Sequence, residues 1–530
     1  MAPGLNTSSI VTSPAEPAAL AATAGASPVQ RVRGTNDFLP PDDARLRHLE
    51  AELRSGFDAF GYQGIQTPVI EPLELFLRKS GDEIVARMYA FSHWNRRLCL
   101  RPELTASVMR AYVAELQGRG LPLRLHYGGP SFRYERPSRG RYRQFTQVGV
   151  ELIGAAGPTA DAEVLHLARA GLQRIGIAGY RLVVGHIGVV LQMLQQLGMS
   201  EHAQGLVLDY MEPVARGRLD VDAAVARVVE LLGGPTNGVT TPADGGLPQG
   251  FADLPADQAT AIWSDILRRT SLPLDGGTRK PQQIIQRLLA KARRPDPTDQ
   301  VRAAFEFVLQ LRAAAGAPER LSELRALLEA KGLSTAPLDD VAAALDLLAA
   351  YGPPGADVQW EIDFSLARGL RYYTGLVFEV YVESAESPLQ VCGGGRYDDL
   401  IRALGGRESV PACGFSYGLE RVGLALASAE TAAAAAPRAL VAPVAADDYR
   451  ESLRVAEVLR QAGFCVEQDL RHRGPKAALR YADRAGLDVV VVLGSQERAD
   501  DVVVLRDMRS RLERRVARGD LLAVASALRP

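Results

Sequence analysis

The sequence predicts an α/β (α+β) protein: an antiparallel sheet flanked by helices, a helical insertion, and a small C-terminal α/β domain. Three observations carry that prediction. Two long β-type runs, LPLRLHYGGPSFRYE and YRQFTQVGVELIG, follow one another across the turn-rich RPSRGR, as an antiparallel pair does. From 198 to 350 the pattern changes to Ala-, Leu- and Arg-rich helices separated by loops such as GGPTNGVTTPADGGLPQG. After the low-complexity ASAETAAAAAPR, strands and helices alternate to the end of the chain, which implies parallel pairs.

Taken in order, residues 1–30 are rich in Ala, Ser, Pro and Thr and lack both a secretory core and transit-type arginines, so they read as a disordered tail. DDARLRHLEAELRSGFDAFGY places Leu46, Leu49, Leu53 and Phe57 at helical spacing and stops near Gly61. GIQTPVIEP reads as a short strand ended by Pro68 and Pro72. RMYAFSHWN and RRLCLRP form strands about a turn at Trp94 to Arg96, and ELTASVMRAYVAEL follows as a helix. DAEVLHLARAGLQRIGI, YRLVVGH and VVLQMLQQLGM read helix, strand, helix, and strands return at VQWEIDFSL and LVFEVYVES. The last segment reads βαβαββα. The expected organisation is a tail at 1–30, a core at 31–197, an insertion at 198–350, a second core segment at 351–430, a linker at 431–437 and a final domain at 438–530.

With 530 residues, a net charge of −1 and 23% charged residues, the chain has ordinary globular composition, and any contact with nucleic acid must come from local patches. No apolar run is long enough for a membrane helix. The four cysteines, Cys99, Cys392, Cys413 and Cys465, form neither a CxxC pair nor a metal-ligand spacing with histidine. They are expected to be reduced core thiols of a cytosolic protein, without zinc.

Five arginines crowd into Arg133–Arg143 with one acid, Glu135, among them. Strand alternation would put Arg133 and Glu135 on one face, where the guanidinium can hold a phosphate and the acid can accept from an adenine amino group. Phe145 on the partner run could stack on a base. A solvated hairpin fits these residues equally well. In LRPELTASVMR, Glu103 and Thr105 stand at a strand-to-helix junction, and by themselves they read as helix-starting residues. Gly393, Gly394 and Gly395 permit close backbone approach or simply a turn, while Tyr372 and Tyr373 alone read as core aromatics.

The order of GTNDFLPP, FGYQGIQTPVIEP, LRPELT, FRYERPSRGRYRQFTQVGVE, LARGLRYYTGLVFE, CGGGRYDDL and GFSYGLERV resembles the class II aminoacyl-tRNA synthetases, specifically the histidyl-tRNA synthetase family. The resemblance spans residue 31 to the C-terminus, weakening in the insertion. It implies a class II catalytic core and a C-terminal anticodon-binding domain. The implied reaction is activation of L-histidine with ATP and Mg2+, then transfer to tRNA(His), in a cytoplasmic homodimer. Residue by residue, it implies that Arg133 holds the α-phosphate, Glu135 the adenine edge, Phe145 the adenine face, Arg141 the outer phosphates and Arg421 the γ-phosphate. Arg368 matches the family's catalytic arginine, facing both the α-phosphate and the histidine carboxylate. Glu103, Thr105 and Gln147 would take the α-amino group. Glu151 and Tyr373 would bond the imidazole, with Tyr372 and Tyr397 completing the pocket. Arg471, Arg473, Lys476 and Arg480 would face tRNA.

Three positions depart from the family pattern: Arg371 stands for Asp, Thr146 for His and Leu104 for Gly. Arg371 either weakens histidine binding or points away from the pocket. A histidine-sensing regulatory subunit of ATP phosphoribosyltransferase and a paralogue acting outside translation are the alternatives, and VVGHIGVVLQML leans toward the former. The ATP-facing arginines and the final domain argue against it.

Overall fold

The computed structural model describes residues 28–78, 85–232, 297–352, 355, 357–367, 371–384, 387–426, 436–471 and 473–527. The expected tail up to residue 27, the loop GGPTNGVTTPADGGLPQG and Arg368 lie outside these. The chain forms two compact units, 1–430 and 431–530.

In the first unit, helix Asp42–Ala59 buries Leu46, Leu49, Leu53 and Phe57, the four residues at helical spacing. The strand expected in GIQTPVIEP is split into β1 (Gln63–Gly64) and β2 (Ile70–Pro72). Pro68 between them has no N–H for a ladder, which fits the interruption. β3 (Ala90–His93) and β4 (Arg96–Leu100) pair across Trp94 and Asn95, both with positive φ, the conformation a two-residue hairpin turn needs. β5 (Leu123–Phe132) and β6 (Gln144–Ile153) pair antiparallel over their full lengths. They are followed by β7 (Tyr180–His186), β8 (Val358–Ile362), β9 (Leu376–Val382), β10 (Leu389–Arg396) and β11 (Ala412–Gly418).

Eight of these make one sheet in the order β1-β5-β6-β11-β10-β9-β7-β8, antiparallel inside and parallel at both edges. β2, β4 and β3 form a separate small sheet. Gly393, Gly394 and Gly395 lie within β10, so the turn reading of this triplet is corrected. A Cβ at Gly394 would sit 2.2 Å from the Gly414 carbonyl and 2.5 Å from Phe415 Cβ, so the glycine admits a neighbouring strand and its aromatic side chain.

Helices Glu201–Ala215, Val221–Leu231 and Pro297–Ala313 pack on one another, whereas Ala336–Ala350 lies on helix Pro158–Arg174 and on β7. Val207, Met211, Phe305 and Leu348 belong to the same continuous core as the sheet.

In the second unit, β12 (Arg438–Pro443), β13 (Cys465–Gln468), β14 (Val489–Leu493), β15 (Val502–Asp507) and β16 (Glu513–Ala517) order as β13-β12-β14-β15-β16. The first three pair in parallel and the rest antiparallel. The segment therefore has one strand more than βαβαββα. Alternation along β12 puts Ala439 and Val441 in one core and Leu440 and Ala442 in another, one on each face of the sheet. Cys99, Cys392 and Cys413 are buried, but Cys465 on the edge strand β13 is exposed and is no core thiol.

Candidate active site

β5 ends at Phe132, and the chain from Arg133 to Arg143 is a loop rather than a continued strand. Strand alternation therefore does not place Arg133 beside Glu135. The loop's own bonds do: Arg133 N–H donates to the Arg143 carbonyl at 2.9 Å, and Glu135 N–H donates to the Arg133 carbonyl at 2.8 Å. Arg133 Nε is anchored on the Pro102 carbonyl at 2.8 Å, and its guanidinium lies 5.3 Å from the centroid of Phe145.

Arg133, Glu135, Arg141, Phe145 and Arg421 all line one cleft, floored by β6, β10 and β11 through Gln147, Gly393 and Ser416. All five expected ATP-facing residues thus share one wall system. Arg421, at the start of helix Leu419–Leu426, donates to the carbonyls of Gly140 and Gln390 at 2.8 and 3.0 Å. Burial lowers its pKa, and the Arg141 guanidinium lowers it further. The Glu135 carboxylate stands 3.7 Å from Arg87 and 4.0 Å from Arg141. A polyanion in this cleft relieves the repulsion among its guanidiniums.

Gln147, which lines the cleft, stands on the strand that also carries a buried polar cluster. Its amide accepts from Ser131 Oγ and donates to Ser416 Oγ, both at 2.8 Å, so the carboxamide orientation is fixed. Four residues along β6, on the same face, lies Glu151, fully buried and receiving the Tyr397 hydroxyl. The Thr105 and Tyr127 hydroxyls reach the same carboxyl. Gly414, across the ladder from Glu151, leaves the room for this contact, since a Cβ there would meet both the Tyr397 and Glu151 oxygens.

Glu103 is buried as well. Its carboxylate accepts from Ala106 N–H at 3.0 and 3.2 Å, so it does cap helix Thr105–Ala111 as the simpler reading holds. Burial raises the pKa of Glu103, and raises that of Glu151 well above the usual carboxylate range, where Glu103 adds to the effect. Burial thus favours the neutral form of both acids. Tyr372, Tyr373 and Tyr397 form the apolar side of this cluster, with ring centroids 4.9, 5.4 and 6.0 Å apart. Of the residues expected around the phosphates and adenine, all but Arg368 line the cleft, as does Gln147, while Glu103, Thr105, Glu151, Tyr372, Tyr373 and Tyr397 belong to the buried cluster.

Sequence reasoning missed Arg87, Tyr127, Ser416 and Glu420. Tyr127 faces Gly149 across the β5–β6 register, and a strict pairing of the two quoted runs would have found it. Glu420 adjoins Arg421 and accepts the Thr146 N–H at 2.8 Å, a contact no local spacing reveals.

In the second unit, Arg471, Arg473 and Arg480 line a groove with Arg484, which the sequence reading passed over. Lys476 is exposed and is not among the lining residues. Arg473 donates to the buried Asp469 at 2.6 Å and lies 4.2 Å over Tyr481, so much of its capacity is used within the fold. Among the described residues there is no group of three or more His, Cys, Asp or Glu arranged to hold a metal, and no helix is long and apolar enough to cross a membrane.

Comparison with known proteins gives the same division. A family model described as histidyl-tRNA synthetase matches residues 34–229 and 278–422, and one described as an anticodon binding domain matches 438–528. The histidine–tRNA ligase of Methanocaldococcus jannaschii is 32% identical over 482 residues, spanning 90% of this chain and 95% of the relative. That of Methanosarcina acetivorans is 34% identical over 485 residues, spanning 91% and 95%. The apo S. aureus histidyl-tRNA synthetase shares the fold with a TM-score of 0.60 at 24% identity, covering 94% of this chain and all of that one.

Proposed function

This chain belongs to the histidyl-tRNA synthetase family, and on that premise we propose how its residues carry out the reaction. The protein is a histidine–tRNA ligase of the class II type: it activates L-histidine with ATP and transfers it to tRNA(His). The observation that carries the residue reading is the cleft in which Arg133, Arg141 and Arg421 converge beside Phe145 and Glu135. Adenylate formation brings a carboxylate onto the α-phosphorus as pyrophosphate leaves, so two anions must approach and negative charge gathers on the phosphoryl oxygens. Arg133 and Arg421, already held by backbone carbonyls, supply that stabilisation without reorganising.

In this reading Arg133 faces the α-phosphate, Arg141 and Arg421 the outer phosphates, and Phe145 and Glu135 the adenine. ATP enters as its Mg2+ complex, in which the ion shields the outer phosphates. The buried Glu103–Glu151 pair takes the cationic end of histidine and its imidazole, with Thr105, Gln147, Tyr372, Tyr373 and Tyr397 around them. An amino acid without matching polar groups would leave these acids unpaired, which is how such a pocket discriminates by about 10⁴. Arg368 acts beside Arg133 on the α-phosphate and the histidine carboxylate. Arg471, Arg473, Lys476 and Arg480 serve tRNA, the segment 198–350 is an insertion within the catalytic core, and the enzyme works as a cytoplasmic homodimer.

ATP–pyrophosphate exchange with each of the twenty amino acids tests this. Exchange is expected with histidine alone, and Arg133→Ala should lower it about 100- to 1,000-fold. Exchange with another amino acid, or none with histidine, would overturn the reading, and an undiminished Arg133→Ala would remove that residue's role.

A further inference from the structure

Arg371, the reversed charge beside the tyrosines, is paired within the fold rather than left in solvent. Its guanidinium meets Asp209 in a fork: Nε donates to Oδ1 at 3.2 Å, and Nη2 donates to Oδ2. The Asp209 side chain is 8% exposed and that of Arg371 20%, so the pair is largely withdrawn from water. Asp209 lies on helix Glu201–Ala215, 162 residues from its partner in sequence. One turn earlier on the same helix face is Gly205, where a Cβ would stand 2.9 Å from Arg371 Cζ and 3.0 Å from Nε and Nη1. The helix therefore presents a socket: a carboxylate to bind the fork and a glycine to admit its plane.

Arg371 is bonded in sequence to Tyr372, whose ring packs on Tyr373 and Tyr397. The helix bearing the socket packs on Val221–Leu231 and Pro297–Ala313, far along the chain from the cleft's arginines. We propose that the Gly205–Asp209 socket and Arg371 form a strut that positions Tyr372 and Tyr373, so that the helical segment sets the affinity of the amino-acid pocket. Arg371 is a positioning residue, and its effect falls on histidine rather than on ATP, because the ATP cleft is built from the β5–β6 loop, β10 and helix Leu419–Leu426. A bidentate arginine pair suits this role, since it fixes orientation as well as distance. The proposal rests on the histidine-activating reading above.

The test is calorimetric binding of histidine and of ATP, separately, to the full chain. Arg371→Ala and Asp209→Ala are each expected to weaken histidine binding about 10-fold or more, the scale of a small misplacement of binding groups. The ATP dissociation constant should stay within about two-fold, and the double variant should be no worse than either single one. A purely structural role would lower the melting temperature without splitting the two ligands. Gly205→Ala guards against a variant that fails to fold, since alanine favours the helix while its methyl displaces the guanidinium; it should reproduce the histidine defect. Equal losses for both ligands, additive single effects, or unchanged histidine binding in Gly205→Ala would overturn the strut. Wild-type chain that binds histidine but shows no exchange would instead overturn the functional reading and leave the strut standing.

Discussion

His186 shows how a single buried side chain can set a pH limit on this fold. It ends β7 and caps helix Ile187–Gln196, its Nδ1 accepting from Gly188 N–H at 3.1 Å. Burial pulls its pKa down to about 4, and the nearby Arg396 guanidinium acts in the same direction. Protonation would also put a donor where the cap needs an acceptor. The unfolded chain takes up its proton near pH 6.5, well before the folded chain does, so the unfolded state binds more protons between those values. Stability from this residue is complete above about pH 6.5 and is lost as pH falls toward about 4, by on the order of 3 kcal/mol. His186→Asn keeps a capping acceptor without titrating. Urea unfolding of the two proteins across pH 4–7 should show a steeper acid loss in the wild type, and parallel curves would refute the assignment.

At the scale of elements, periodic segments were legible and contacts between distant ones were not. Leu46, Leu49, Leu53 and Phe57 declare their helix because burial repeats with the helical turn, and the β5–β6 runs declare a pair because both alternate and a turn separates them. The loop between them was misjudged: charge does not reveal where a ladder ends, and Arg133 to Arg143 fold back on their own carbonyls. The Gly393–Gly395 triplet misled for a related reason, since a glycine needed for close approach by another strand looks the same in sequence as one needed for a turn. The cleft-lining Arg133, Glu135, Arg141, Phe145 and Arg421 were readable as a group because they cluster on motif segments, whereas Tyr127 and the Asp209 socket are defined by tertiary pairing. Gly394→Ala tests the strand reading. Its methyl would meet the Gly414 carbonyl, which the sheet holds in place, so the substitution should cost about 1–3 kcal/mol and lower the melting temperature. A turn glycine with a free Cβ direction would tolerate alanine, and an unchanged melt would sink this account.

For the molecule as a whole, a net charge of −1 gives no general attraction to a polyanion, so tRNA must be drawn by local fields. The cleft's arginines sit in the first unit; in the second, which matches an anticodon binding domain, Arg471, Arg480 and Arg484 line a groove and are the residues we propose to meet tRNA. These three are exposed, and the bond of Arg471 to Asp469 runs from its backbone N–H at 3.2 Å, which alanine keeps, so their replacement should leave the unit folded. Each phosphate neutralised releases condensed counterions, which makes affinity fall with salt in proportion to the number of contacts. Replacing Arg471, Arg480 and Arg484 with alanine in the full chain should weaken tRNA binding and reduce the slope of log affinity against log salt by about 2. Amino-acid activation without tRNA should be untouched, because the residues proposed for adenylate formation lie in the first unit. A variant that binds tRNA with the wild-type salt slope would show that the groove is a solvated surface and that the recognition charge lies elsewhere.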